Sequence, residues 1–319
     1  MAEMGPDSGE GWERKVLEKV ALAAIAEQRA ARRWSVFFKS LVLIYLFVVL
    51  FAGIGWLKHG DYRSPGKHSA LVELRGVIAA EGQASADNIT AGLQAAFKDH
   101  NTQGVILRIN SPGGSPVQAG YINDEIKRLR GKYPDIPLYA VVEDICASGG
   151  YYVAVAADRI YVDKASIVGS IGVVMDGFGF TGTMEKLGVE RRAITAGENK
   201  KFLDPFSPLN PAHQEFAAKM LGEIHQQFIT VVRNRRGKRL HEDPETFSGL
   251  VWVGQKSIDL GLADGLGSVD SVARDVIKAE NVVDFTPREN IAERVARRFG
   301  AAMAETLLSI PAVGGAQLR

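Results

Sequence analysis

The chain has 319 residues, which is enough for one large domain or two modest ones with a substantial buried core. Its formal charge is +1 at pH 7, so the charge balance does not indicate a nucleic-acid partner. The single cysteine excludes an internal disulfide framework, and cysteine usage therefore says nothing about the compartment.

The N-terminal part contains an abrupt change in composition. Residues 1–33 mix charged and apolar positions and predict a short amphipathic helix. Residues 40–57 are eighteen residues without a charge, about the length needed to cross a hydrocarbon core, with Trp34 and Trp56 near the two ends. We therefore predict one transmembrane helix over residues 34–57. A cleaved signal peptide is disfavoured because a long hydrophilic segment comes first and no clean small-x-small cleavage site follows.

Basic residues on either side of this span predict its orientation. Four precede the span closely and three follow it, which places the N-terminus in the cytoplasm and the large C-terminal part outside it. Residues 58–69 contain glycine and proline and predict a linker. The basic residues are Arg29, Arg32, Arg33 and Lys39 before the span, and Lys58, Arg63 and Lys67 after it.

After the linker, strand-like and helix-like segments alternate over residues 70–289. This succession predicts an α/β domain with a largely parallel sheet, followed by an amphipathic C-terminal tail at residues 290–319. The predicted strands are residues 70–75, 104–110, 137–142, 158–162 and 191–195. The predicted helices are residues 85–99, 117–130, 151–157 and 211–236.

A serine lies at one predicted junction between strand and helix, in the motif Ala147-Ser-Gly-Gly150. Free N–H groups at a helix start can bind an anion, so Ser148 is a candidate nucleophile and Gly149 a candidate oxyanion donor. The alternative is a helix-capping serine followed by two glycines that serve packing. Cys146 is a second possible nucleophile, but its place on the strand side favours a small buried residue.

A second glycine pair follows another predicted strand, in the motif Ser111-Pro-Gly-Gly114. Ligands of open α/β sheets bind at the carboxyl ends of the strands, where both glycine pairs are expected. Gly114 and Gly149 are therefore candidates for a shared oxyanion hole. The alternative for the first pair is a plain turn.

A nucleophilic serine needs a proton acceptor, and none of the six histidines stands in a recognisable catalytic motif. Lys200 and Lys201 follow the strand predicted at residues 191–195 and precede a bend that contains proline. A lysine that acts as a base near pH 7 must lose about 3.4 pKa units, or roughly 4–5 kcal/mol, through desolvation. Apolar neighbours in residues 202–206 provide such a setting for one of the two lysines, whereas two ordinary surface lysines are the alternative.

Four motifs follow one another along the chain: Asn110-Ser-Pro-Gly-Gly114, Ala147-Ser-Gly-Gly-Tyr-Tyr152, Gly169-Ser-Ile-Gly-Val173 and Asn199-Lys-Lys-Phe-Leu-Asp-Pro-Phe206. Together and in this order they resemble the signal peptide peptidase A family, the S49 serine peptidases. The resemblance covers about residues 71–273, and the single copy is similar to the family's short form.

The resemblance implies a Clp protease/crotonase-like spiral of strand-strand-helix units and a Ser-Lys dyad. Ser148 then corresponds to the nucleophile and Lys200 to the general base, because the family's lysine lies five residues before a proline. The adjacent Lys201 leaves that register ambiguous. Ser170 matches the residue that orients the lysine, and Gly114 and Gly149 match the oxyanion positions. No cofactor and no metal are implied.

The implied function is a membrane-anchored serine endopeptidase that degrades residual signal peptides and other apolar, unfolded peptides. The implied location is the bacterial inner membrane, with the peptidase domain on the periplasmic or outer side. Short-form members assemble into homo-oligomeric rings in which the dyad can be shared between subunits. Two alternatives stay open: a crotonase-like enzyme acting on acyl-CoA, and a catalytically inert membrane scaffold that binds peptides.

Overall fold

The computed structural model describes residues 10–58 and 66–287. Two compact units divide the chain, one made of Met1–Tyr62 with Asn290–Arg319 and the other of Arg63–Glu289. The predicted amphipathic tail and most of the predicted linker lie outside the described residues.

The first unit contains one continuous helix, α1 (Glu10–Lys58), of 49 residues. At 1.5 Å per residue this helix is roughly 73 Å long, more than twice the thickness of a hydrocarbon core. The amphipathic segment and the apolar span are therefore parts of a single helix. Its stretch Val16–Leu50 is long and apolar enough to cross a membrane by length and composition, a test that a signal sequence also meets.

The second unit is built on one eight-stranded sheet. The strands are β1 (His68–Arg75), β2 (Thr102–Ser111), β3 (Leu138–Ala147), β4 (Arg159–Val162), β5 (Ile167–Gly169), β6 (Val251–Val253), β7 (Gly265–Leu266) and β8 (Val282–Asp284). Their order is β6-β5-β3-β2-β1-β8, with β4 paired to β3 and β7 paired to β4. Every pairing is parallel except that of β5 with β6, which confirms the predicted α/β domain with a largely parallel sheet.

Helices connect these strands and cover the sheet. They are α2 (Ala86–Lys98), α3 (Pro116–Lys132), α4 (Gly149–Ala154), α5 (Thr181–Lys186), α6 (Pro211–Arg236), α7 (Gly254–Asp259) and α8 (Val269–Ser271). A short 3₁₀ turn, Gly237–Arg239, follows α6, and a π-helical turn, Val272–Ile277, follows α8. Helix α2 begins where the sequence predicts, because the Ser85 side chain accepts a hydrogen bond from the Asn88 N–H.

The sheet is buried on both faces over its central strands. One large cluster joins the sheet to α2, α3, α4 and part of α6, and a smaller cluster on β1 to β4 packs against the π-helical turn. Strands covered on both faces have nearly continuous apolar runs, which is why β1 and β2 are recognisable from sequence. The core thus holds the carboxyl ends of β2 and β3, which carry both glycine motifs.

Two strand predictions differ from the structure. β3 continues to Ala147, five residues past the predicted end, so Ser148 follows the strand directly. The strand predicted at residues 191–195 is not formed: this segment is irregular, and Ile194 is fully exposed. A segment of β-forming composition becomes a strand only when another strand pairs with it, and no strand in the described part of this chain pairs with residues 191–195.

Candidate active site

Ser148 occupies a strained turn between β3 and α4. Its backbone has φ 51° and ψ −124°, a region that residues with a Cβ rarely adopt and that costs about 1–3 kcal/mol. Such strain is typical of functional turns, including the strand-to-helix turn that exposes a nucleophilic serine. Although Ser148 stands at the N-cap position of α4, its side chain makes no capping hydrogen bond. The capping interpretation therefore does not account for this serine.

The two glycine motifs pack directly against each other. A Cβ added to Gly113, where φ is +101°, would lie 2.7 Å from both the Gly149 nitrogen and the Ser148 Cβ. A Cβ on Gly114, where φ is +144°, would lie 2.1 Å from the Ile78 carbonyl oxygen. Only glycine fits either position, so the first motif is built for this close approach and is more than a plain turn.

Gly114 and Gly149 lie close together and both line the cavity beside Ser148. Ile78 binds the residues on either side of Gly114, through Ile78 N–H to Gly113 O and Ser115 N–H to Ile78 O, both 2.8 Å, so the Gly114 N–H points away from it. Gly149 is the first residue of α4, and its N–H has no intrahelical acceptor. A Cβ on Gly149 would lie 3.4 Å from the Gly114 nitrogen. This geometry suits an oxyanion hole.

One cavity of about 340 Å³ contains these groups. Four of the five site residues predicted from sequence line it: Ser148, Gly149, Gly114 and Ser170. The remaining walls are mainly apolar and come from regions far apart in the chain. They include Ala119, Tyr152, Val173, Val174, Ile224 and Phe228.

Ser170 is held next to Ser148 by the edge of the sheet. The Ser148 N–H donates to the Gly169 carbonyl at 2.8 Å, and the Ser170 N–H donates to the Leu250 carbonyl at 2.7 Å. Gly169 and Ser170 both have positive φ, of 117° and 50°. A Cβ on Gly169 would lie 3.0 Å from the Leu250 oxygen, so the start of β6 shapes this bend.

Lys200 does not line this cavity. It is exposed in an ordered loop, where its N–H donates to the Gly197 carbonyl at 3.2 Å. Lys201 is half-buried and lines a different cavity, with Arg191 and Phe206. Within its own chain, therefore, the structure brings neither lysine to Ser148.

A salt bridge stabilises the lysine loop. Arg191 binds Asp204, and its guanidinium lies 5.3 Å from the centre of the Phe206 ring. The hydrogen bond from Arg191, with a second from Ser207 at 2.6 Å, lowers the pKa of Asp204 to about 2. These contacts constrain the loop that carries Lys200 and Lys201.

Cys146 is fully buried in β3, and burial raises the pKa of its thiol, which disfavours the reactive thiolate. It is therefore a packing residue. Burial also raises the pKa of Tyr151, whose hydroxyl donates to the Leu262 carbonyl at 2.8 Å and anchors α4. Both residues support the turn at Ser148 without facing the cavity.

Sequence reasoning missed His225 and the cavity walls. His225 Nε2 lies 2.9 Å from the Ile171 carbonyl oxygen, so that nitrogen carries the proton and holds the bend after Ser170. Ile224 and Phe228 are four residues apart on α6, a spacing that places both on one helix face. That spacing indicates an apolar face on α6, but the sequence does not show which part of the protein this face covers.

These groups define a class of site: a serine with two N–H donors beside it, suited to acyl transfer. Comparison with known proteins then gives the family. The model of peptidase family S49 matches residues 131–283. A Synechocystis sp. protein with the name "Putative protease slr0021" is 31% identical over 205 residues, which are 64% of this chain and 72% of that protein. The chain belongs to the S49 peptidase family.

Two other similar proteins support no conclusion about activity, one because the match covers only a small part of it and one because its structural similarity is low. The Na(+)/H(+) antiporter NhaA of Brucella melitensis is 43% identical over 218 residues, 67% of this chain but 30% of that protein. Because the chain spans under a third of that relative, its name says nothing of this chain's activity. A mutant of the 1510-N membrane-bound stomatin-specific protease covers 70% of this chain at 12% identity with a TM-score of 0.40, too low to support an argument.

Proposed function

We propose that this protein is a membrane-anchored serine endopeptidase with a Ser-Lys dyad, Ser148 as nucleophile and Lys200 as general base. The observation that carries the proposal is the position of the Ser148 side chain, on a strained turn beside the N–H groups of Gly114 and Gly149. Membership of the S49 family supports the same reaction class.

In the proposed reaction, Ser148 Oγ attacks a peptide carbonyl while neutral Lys200 Nζ takes its proton. The N–H groups of Gly114 and Gly149 hold the oxyanion of the tetrahedral intermediate. Lys200 then protonates the leaving amine, and an acyl-enzyme ester on Ser148 is left. Water, deprotonated by the same lysine, hydrolyses that ester and restores the serine.

We propose that Lys200 comes from a second copy of the chain. Lys200 is exposed and does not line the cavity of its own chain, so an inter-subunit dyad is consistent with both facts. Transfer into the cavity of a neighbour would remove water from the ammonium group, as a base of this kind requires. Ser170 would orient it there.

The proposed substrates are signal peptides and other apolar, unfolded segments at the membrane. The apolar walls of the cavity, among them Val173, Ile224 and Phe228, support this class because they can bury an apolar side chain next to Ser148. Helix α1 supports membrane anchoring by its length and composition. We propose the bacterial inner membrane as the location, with the N-terminus cytoplasmic and the peptidase domain on the outer side.

Cleavage of a synthetic signal peptide by the detergent-solubilised full chain tests this function. We expect Ser148→Ala and Lys200→Ala to abolish cleavage and fluorophosphonate labelling, and the matched control Lys201→Ala to keep both. Retention of cleavage by folded Ser148→Ala would refute the proposal. A scaffold predicts no cleavage by any variant, and a crotonase-like enzyme predicts turnover of an acyl-CoA thioester instead.

A further inference from the structure

β6 lies at one edge of the sheet, and its outer side has no strand partner in the part of the chain that the structure describes. Hydrogen-bonded pairs alternate along its antiparallel ladder with β5. Since the Ser170 N–H donates to the Leu250 carbonyl, Leu250 and Trp252 bond inward, and the N–H and C=O groups of Val251 and Val253 point outward.

This open edge is apolar as well as unpaired. The side chains of Val251 and Val253 are 48% and 50% exposed, and neighbouring Leu250 is 47% exposed. An edge that presents free backbone groups and apolar side chains favours the addition of another strand. Its position matters for the site, because Ser248 and Gly249, just before β6, line the Ser148 cavity.

The chain itself contains a segment of matching character. Residues 191–195 have the composition of a strand, yet among the described residues their backbone groups make no hydrogen bond to another backbone group. Ile194 is 101% exposed. The segment is nevertheless anchored at its start, because Arg191 binds Asp204. The segment is therefore fixed at one end and exposed, and its backbone N–H and C=O groups can pair with another strand.

We propose that residues 191–195 of one copy add as a strand to the outer edge of β6 in a second copy. The inference deepens the proposed function, on which it rests, by identifying the surface that delivers Lys200. The occupant is a second copy because the segment leads directly into the lysine loop.

The direction of pairing follows from the position of the cavity. β6 starts beside the cavity, after Gly249, and runs away from it. Antiparallel addition places Thr195 at the cavity end, and the five residues to Lys200 span at most about 16–18 Å when extended. Parallel addition would direct the lysine away from Ser148. Of the antiparallel registers, we choose the one in which Ile194 lies opposite Val251, because it pairs two exposed apolar side chains across the strands.

A contact between two different surfaces of identical chains is heterologous, so repeated contacts close into a ring when the rotation permits. The segment on one copy and β6 on the next form such a contact. Each copy would then give its lysine to one neighbour and receive a lysine from the other.

Cysteine cross-linking of the full chain tests this pairing directly. Ile194→Cys and Val251→Cys are made singly in the Ser148→Ala background, mixed in detergent, and treated with a short bis-maleimide. The native Cys146 is buried and serves as the unreactive background. We expect a covalent dimer only in the mixture. A dimer from Val251→Cys alone would show edge-to-edge pairing of β6 and overturn the proposal.

Proline at β6 provides the matched perturbation. Val253 has φ −66°, which suits proline, and Val253→Pro removes an outward N–H without touching the bonds to β5. We expect loss of the cross-link and of the oligomer, with thermal stability of the single chain retained, whereas Val253→Thr keeps both. If the cross-link survives in Val253→Pro, the proposal fails. It also fails if Val253→Pro in the active enzyme raises only KM and keeps the oligomer, because the edge then binds substrate and not a second copy.

The two proposals fail separately. Cross-linking reports the contact in a chain that lacks the nucleophile, so it does not depend on catalysis. An active wild type without the mixed cross-link would overturn the strand pairing and leave the peptidase proposal standing. If the Ile194→Cys and Val251→Cys chains cross-link but Ser148→Ala still cleaves peptide, the strand pairing stands and the peptidase proposal fails.

Discussion

The backbone of Ser148 leads to an unusual stability prediction. At ordinary positions glycine is about 0.5–1 kcal/mol less stable than alanine, because it loses more backbone entropy on folding. With the φ of 51° and ψ of −124° of Ser148, alanine instead carries the backbone strain of about 1–3 kcal/mol that glycine avoids. The net expectation is that Ser148→Gly is more stable than Ser148→Ala by about 0.5–2 kcal/mol.

The second unit, Arg63–Glu289, gives the scale of the thermal shift. A domain of that size shifts its Tm by about 2–4 °C per kcal/mol, so Ser148→Gly should melt roughly 1–8 °C above Ser148→Ala. Differential scanning fluorimetry on the full chain measures this difference. Both variants should be inactive, which separates the strain from the chemistry.

Ser257 is the matched control, since it is a buried serine inside α7. There the order should reverse, and Ser257→Gly should be less stable than Ser257→Ala by about 0.5–1 kcal/mol. If Ser148→Gly is the less stable variant at residue 148 by the same margin, the turn does not store strain and the reasoning is wrong.

Two further predictions concern positioning and pH. His225→Leu removes the N–H that donates to the Ile171 carbonyl. We expect kcat/KM to fall about fivefold, which corresponds to the loss of a hydrogen bond of about 1 kcal/mol, and His225→Gln to restore most of the lost kcat/KM. An equal loss of kcat/KM in both variants would argue that this hydrogen bond does not position the site. The pKa of Asp204 is lowered to about 2 by Arg191, so its contribution to stability is present above pH 4 and is lost as pH falls towards 2. The Tm difference between wild type and Asp204→Asn should therefore shrink from pH 7 to pH 3, and a constant difference would contradict this assignment.

Much of the fold is legible in the sequence because its signals are local. Helix α6 has the bounds that the apolar and charged pattern predicts, beginning at Pro211 and ending at Arg236. Ser85 caps α2 as its residue type indicates. β3 shows the limit of local signals. Polar Glu143 and Asp144 suggest that the strand ends before them, but pairing with β2 and β5 extends it to Ala147.

The site divides in the same way. Ser148 and the two glycine motifs stand out because their residue types and their places after strands follow from local pattern. Gly113 leaves no room for a Cβ, which would lie 2.7 Å from the Ser148 Cβ, and this closeness depends on the pairing of β2 with β3, which no local pattern encodes. The walls supplied by α6 were missed for this reason.

By itself, then, the sequence determined the alternation of strands and helices, the apolar stretch within α1, and the serine at a strand-to-helix junction. Only the tertiary structure decided that Ser148 is strained, that Ser170 lies in the same cavity, and that Lys200 lies elsewhere. The physical reason is that strain and proximity arise from contacts between segments distant in the chain. Residues 191–195 show it most plainly, for they have the composition of a strand, yet no strand in the described part of their own chain pairs with them.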